Sequence, residues 1–191
     1  MLLVKKKEGS WRCCVDYRAL NTITVKDRFS MSTIDELLDE LGKASWFSKL
    51  DLQQGFHQIH MVDEDIPKMA FRTHHGYFEY KVMTLRLCNA PSTFQVTMNN
   101  LLRSFLRKFV TIFFDNILVL NPSIFDHLEH LEIVLTTLSR GQFFFHCSKC
   151  LFAQKNLHYL GHIVSADGMA PDADKIQAIM AWLTPSSQSE L

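Results

Sequence analysis

Apolar residues recur every three or four positions in three stretches of the chain and alternate with polar ones in several others. Ser32 can cap a helix with Asp35 three residues on; Ile34, Leu37, Leu38 and Leu41 make its apolar face, and Gly42 stops it. Ser123 with Asp126 repeats the device, followed by Ile124, Leu128, Leu131, Leu135 and Leu138, with Gly141 as terminator. A third helix is predicted to start near Pro91 and to carry Phe94, Met98, Leu101, Leu102 and Phe105. Strands are predicted over residues 10–16, 46–52, 78–83, 110–120, 142–147 and 157–164. Strands and helices alternate irregularly and several strand pairs read as hairpins, which favours an α+β fold with a largely antiparallel sheet.

Two of these segments hold isolated carboxylates. In TIFFDNILVL, residues 110–114 and 117–120 read as strands joined at Asp115-Asn116, with Asn116 at a turn position that tolerates positive φ. On that stretch alone a hairpin tip accounts for both residues. In WFSKLDLQQGF, period-two alternation puts Phe47, Lys49 and Asp51 on one face and Ser48, Leu50 and Leu52 on the other. Asp51 then stands near the end of a strand anchored in the core, where a solvated or capping aspartate is the plain alternative. Two aspartates on neighbouring strand ends could instead hold magnesium, which takes hard oxygen ligands and serves phosphoryl transfer.

Composition narrows the class. The 191 residues, 47% hydrophobic and 21% charged, suit one good-sized globular domain. MLLVKKKEGS has its apolar and basic residues in the wrong order for a signal peptide, and no apolar run approaches the ~20 residues that span a bilayer. Five irregularly spaced cysteines argue for a reducing compartment, so the chain is expected in the cytoplasm or nucleus, unsecreted and away from membranes. Net charge is zero, yet residues 1–30 hold seven basic side chains against three acidic ones, a patch that suits phosphate contacts.

KLDL–QGFHQI, AFRTHHGYFEY, NAPSTFQ, FFDN, HLEHL and YLGHIVS, in this order, resemble the reverse transcriptase of Gypsy-type LTR retrotransposons from Leu2 to about Trp182. The resemblance implies a polymerase palm with an antiparallel sheet and packed helices, plus partial fingers, over residues 1–182. Residues 183–191 would begin a thumb or connection. It implies RNA-directed DNA polymerase activity, with an RNA or DNA template, its primer and dNTPs as partners. Asp51 and Asp115 would be the metal-binding aspartates, taking magnesium or, in its place, manganese. Phe56 would be the gate against the ribose 2′-OH. Arg12 with Lys6 would hold the triphosphate, Leu85 and Arg86 would flank the nucleotide, and Leu160, Gly161 and His162 would grip the primer.

Departures from that pattern set a second expectation. The family has Asp-Asp where this chain has Asp115-Asn116, and Met-Pro-Phe-Gly-Leu where this chain has Met83-Thr84-Leu85-Arg86-Leu87. Ser30 and Ser32 stand where it commonly has prolines. The thumb, connection, RNase H, integrase and protease of a Pol polyprotein are expected to be absent. Impaired polymerase activity is therefore expected, with a non-catalytic remnant that binds nucleic acid weakly as the alternative. Cys147, Cys150, His158 and His162 carry the ligand types of a zinc finger, but seven residues separate the pairs where ~12 are usual, so no zinc is expected.

Overall fold

The computed structural model describes residues 2–5, 9, 11–27, 36, 39–42 and 44–182. Lys6, Ser30, Ser32, most of the helix expected up to Gly42, and residues 183–191 lie outside these. The centre of the molecule is a four-stranded antiparallel sheet in the order β6-β7-β3-β8. Its strands are β3 (Trp46–Asp51), β6 (Val110–Phe113), β7 (Asn116–Asn121) and β8 (Leu151–Gln154). β7 is buried along Ile117 to Asn121, and its near-continuous apolar run reflects cover on both faces.

One face carries Leu50, Leu52, Ile112, Ile117 and Val119 against two helices, α2 (Ala90–Leu101) and α3 (Ile124–Arg140). The opposite face carries Phe47, Leu118 and Leu120 against Leu157, Tyr159 and Val164. These last belong to a three-stranded sheet of β9 (Asn156–Tyr159), β10 (His162–Ser165) and β11 (Gly168–Pro171). The alternation expected for residues 46–52 is thus present, and it leaves Lys49 and Asp51 beyond the covered part of their face. Two hairpins, β1 (Leu2–Lys5) with β2 (Trp11–Cys14) and β4 (Ala70–Thr73) with β5 (Gly76–Glu79), stand apart from the central sheet. A short helix, α1 (Arg18–Ile23), follows β2, and α4 (Ala173–Met180) follows β11. Among the described residues no helix is long and apolar enough to cross a membrane.

Helix α3 starts as expected, with Ser123 accepting from the Asp126 N–H at 3.2 Å, and ends at Gly141. Its buried ridge, however, is His127, Leu131, Val134 and Leu138, while Leu128 is 54% exposed. The ridge turns toward His127 because the sheet offers that imidazole partners. Ser48 Oγ lies 2.7 Å from His127 Nε2, Asn121 Oδ1 lies 3.1 Å from Nδ1, and Ser48 Oγ accepts the Ala153 N–H at 2.9 Å. Asn121 passes the chain on to His130 Nδ1 at 2.7 Å. A neutral His127 carrying its proton on Nδ1 satisfies every partner. The Ser-His-Asn order imitates a hydrolase triad, yet Ser48 and His127 are both 0% exposed, so no substrate reaches them. The network ties α3, β7, β3 and β8 together.

Other expectations are corrected. The strand expected at 78–83 is Gly76–Glu79, closed back onto Ala70–Thr73 through the His74-His75 turn; Val82 makes only a single bridge to His60. Residues 142–147 form no strand. Gln142 has φ +60°, Phe145 makes one bridge to Leu52, and Cys147–Lys149 is a 3-10 turn. There Gln58 replaces the ladder, donating to Phe144 O at 3.0 Å and accepting the Phe144 N–H at 2.7 Å. The fourth strand is Leu151–Gln154 instead. Helix α2 ends at Leu101, so Leu102 and Phe105 pack from the turn beyond it.

Burial holds the His127 pKa below its usual 6.5, with His130 adding to the effect. The unfolded chain therefore takes up this proton first, and stability is expected to fall as pH drops below about 6.5, levelling once the folded imidazole is also protonated. His127→Leu leaves Ser48 and Asn121 with unmet partners and should cost about 2–5 kcal/mol. Urea unfolding at several pH values checks both; a variant that keeps the parent's pH slope would show that the slope arises elsewhere.

Candidate active site

The end of the central sheet is where the chemistry gathers. Asp51 is the last residue of β3 and Asn116 the first of β7, and the two are Cα partners in the antiparallel register. Phe113 pairs with Asn116 across β6 and β7, so the two-residue turn is Phe114-Asp115, one position earlier than expected. Asn116 is a strand residue. The positive φ, +53°, falls on Phe114, at the first turn position where glycine is the usual occupant.

A phenylalanine there needs support, and Gln95 of α2 supplies it. Its Oε1 accepts the Phe114 N–H at 2.9 Å and its Nε2 donates to Ile112 O at 3.1 Å, both bonds holding the strand where it enters the bend. Gln95 belongs to the NAPSTFQ segment, but only the fold reveals that its amide holds the turn bearing Asp115. Asp51 is held through its backbone: its carbonyl accepts the His146 N–H at 2.9 Å, and its N–H points to Cys150 Sγ at 3.4 Å.

Asp51 and Asp115 open onto one cleft of about 880 Å³. Of the residues expected there, Phe56, Leu85 and Arg86 line it too. Phe56 rests on Phe94 with ring centroids 4.8 Å apart, and at Gly55 any Cβ would press on the same Phe94 ring at 3.1 Å. Arg12 sits in β2 opposite Val4, while Lys6 is outside the described residues. Leu160 and Gly161 turn the chain between β9 and β10, and Leu160 packs on the Phe47 cluster, at the other end of β3 from Asp51. The primer-grip residues are therefore not part of this cleft. His146, Ser148 and Lys149 are, and nothing in their spacing announced them.

The wall carrying Leu85 and Arg86 is stitched to the segment after β2. Asn21 donates to Arg86 O and accepts the Cys88 N–H, each at 2.9 Å. Asn89 answers by donating to Val25 O at 2.8 Å and accepting the Asp27 N–H at 3.0 Å.

Burial first, then the negative charge of Asp51, pushes the Asp115 carboxyl above its usual range, against the pull of Lys49 and Lys149. Two carboxylates crowded together are a hard-oxygen donor set that a divalent ion would relieve. Asn116 brings no negative charge to the set, and its Nδ2 donates to Asp115 Oδ1 at 3.2 Å. Among the described residues no three His, Cys, Asp or Glu side chains converge. Of the four zinc-type residues, Cys150 is engaged with Asp51, and His158 Nδ1 lies 3.5 Å from Asp172.

Known proteins share both sequence and shape. The chain is 41% identical over 191 residues to the Retrovirus-related Pol polyprotein from transposon 297 of Drosophila melanogaster, covering 98% of this chain and 18% of that polyprotein. It is 32% identical over 191 residues to the Transposon Tf2-7 polyprotein of Schizosaccharomyces pombe, covering 100% of this chain and 14% of that polyprotein. It thus spans less than a fifth of these relatives. The foamy viral protease–reverse transcriptase in complex with double-stranded DNA superposes with a TM-score of 0.91 at 21% identity, over 98% of this chain and 33% of that one. The same viral protein with an RNA/DNA hybrid gives 0.87 at 20% identity, over 98% and 25%. At that identity the likeness is one of fold, a polymerase palm with part of the fingers. With residues 4–164 matching the family described as Reverse transcriptase (RNA-dependent DNA polymerase), the chain belongs to that family, in the form found in retrotransposon Pol polyproteins.

Proposed function

We propose that this chain joins deoxynucleotides to the 3′ end of a primer paired to an RNA or DNA template, slowly, because Asn116 stands where a further carboxylate would serve. The observation that carries the reading is the meeting of Asp51 and Asp115 in one cleft, Asp51 paired across the β3–β7 register with Asn116, the residue next to Asp115. Asp51 and Asp115 would hold magnesium, with manganese as a substitute. The ion supplies charge neutralisation at the transferred phosphoryl group. Phe56, backed by Phe94, presents a flat wall where a ribose would sit. Lys149 on the cleft wall would bring positive charge toward the triphosphate, the role the family resemblance also gives to Arg12 and Lys6, and the turn at Leu160 to His162 would steady the primer. The duplexes bound by the foamy viral protein support a primer–template as the partner here. The Asn116 bond to Asp115 favours one rival, a palm that binds nucleic acid without catalysis.

Contacts to phosphate make binding salt-sensitive, each adding about 0.7–0.9 to the slope of log K against log salt. Fluorescence anisotropy with a labelled primer–template should show the Kd weakening between low and physiological salt. A Kd unmoved by salt would contradict a phosphate-led interface.

Arg86 sets a long cation on the cleft wall. Arg86→Gly should lower the KM for dNTP in primer extension with little change in kcat. An unchanged KM would place the guanidinium outside the nucleotide's path.

Asn116→Asp tests the site itself. Amide and carboxylate are nearly isosteric and residue 116 is a paired strand residue, so the thermal midpoint should hold. If the restored charge contributes ~3–5 kcal/mol to the transition state, extension accelerates about 10²–10⁴-fold. Single-nucleotide extension in magnesium, parent against variant, decides. A parent as fast as the variant overturns the impairment; no extension by either favours the binding-only palm.

A further inference from the structure

The Cys147–Cys150 pair, left over by the zinc pattern, has a different fitness. Cys147 opens the 3-10 turn Cys147–Lys149 and Cys150 closes it, the Cys150 N–H donating to Cys147 O at 3.2 Å. Side chains at i and i+3 of such a turn lie one above the other. Their Cα atoms fall within ~7 Å, inside or at the edge of the span a disulfide bridges. Both thiols are free; Cys147 is exposed and Cys150 buried. An accessible sulfur beside a sheltered one is the arrangement that lets a mixed disulfide close on itself rather than persist.

Cys150 is also the sulfur that grips Asp51. It receives the Asp51 N–H at 3.4 Å and faces Asp51 O at 3.7 Å, the S–H donating. We propose that Cys147 and Cys150 form a thiol–disulfide exchange site for small-molecule disulfides, and that its closure loosens the backbone seat of Asp51. The functional weight of that loosening rests on Asp51 holding metal as proposed above; the thiol chemistry does not.

The exchange balances without further reactants. The Cys147 thiolate attacks one sulfur of a disulfide such as oxidised glutathione; that S–S bond breaks, and one glutathione leaves as a thiolate. Cys150, giving up its proton, then attacks Cys147 Sγ and expels the second glutathione thiolate. Two protein thiols are oxidised, one small disulfide is reduced to two thiols, and the two protons end on the departing sulfurs. Once bonded to Cys147, the Cys150 sulfur has no proton for Asp51 O. It must also swing to within about 2.05 Å of its partner sulfur, away from the Asp51 N–H. The other cysteines lack this link, since Cys88 bonds its neighbour Asn89 and no bond joins Cys13 or Cys14 to the Asp51 backbone.

The test equilibrates the protein in reduced and oxidised glutathione. Trypsin cuts after Lys149, so a Cys147–Cys150 bond leaves two peptides joined in the mass spectrum. Amide NMR follows Asp51 in the same samples. The expected result is a joined pair in most chains, a shifted Asp51 amide, and reversal of both by dithiothreitol. Cys147→Ser, a change at an exposed side chain, should abolish the joined pair and the shift. A glutathione adduct persisting on Cys147, no joined pair, or a joined pair with Asp51 unmoved would overturn the proposal. A magnesium titration on the reduced protein keeps the two readings apart. If magnesium leaves Asp51 untouched while oxidation moves it, the metal role fails and the thiol site stands.

Discussion

The pairing register between β3 and β7 governs everything at the working end of this molecule. A slip by one residue would turn Asp51 into the helix-packed face and bring Leu50 or Leu52 out to the cleft. The slip is resisted from both sides of the sheet, because Leu50 and Leu52 are buried against α2 and α3 while Phe47 is buried against β9 and β10. The Ser48–His127 bond adds a directional lock that apolar packing lacks, since only one register presents the hydroxyl to the imidazole. Hydrophobic burial chooses the face, and a buried polar network fixes the position along it.

Given that register, the carboxylates are brought together by unlike means. Asp51 arrives on a strand and is steadied through its backbone by His146 and Cys150. Asp115 arrives on a two-residue turn whose first residue has a backbone conformation unfavourable to phenylalanine, by a cost on the order of 1–3 kcal/mol. Gln95 offsets that cost with two hydrogen bonds from a helix already packed on the sheet. Strain and charge repulsion thus sit at one spot, and the surrounding core makes it tolerable.

What the sequence discloses follows the range of the forces involved. The alternation in β3, the cap and stop of α3, and the Pro91 start of α2 are local and could be read directly. The propensity of Asn116 suits a turn; the actual turn at Phe114-Asp115 depends on Gln95, nineteen positions before Phe114. The burial of His127 is not legible locally, because a histidine is buried only when distant partners such as Ser48 accept it. The Phe143 to Phe145 run has strand composition, yet the Gln58 amide takes the backbone groups a ladder would have used. The family motifs point to Asp51, Asp115 and Phe56, and all three line the cleft. They said nothing of Lys149 or His146, whose place in the cleft comes from the path of the chain after α3.

The reciprocal asparagine stitches have a mechanical meaning. Four side-chain-to-backbone bonds join residues 21–27 to residues 86–89, two running in each direction. Such a joint resists shear as well as separation, so the two stretches move as one plate. Leu85 and Arg86 ride on its edge. Any swing of that plate therefore changes the width of the cleft and the position of its cationic wall in a single stroke, with one degree of freedom where two separate loops would have had two.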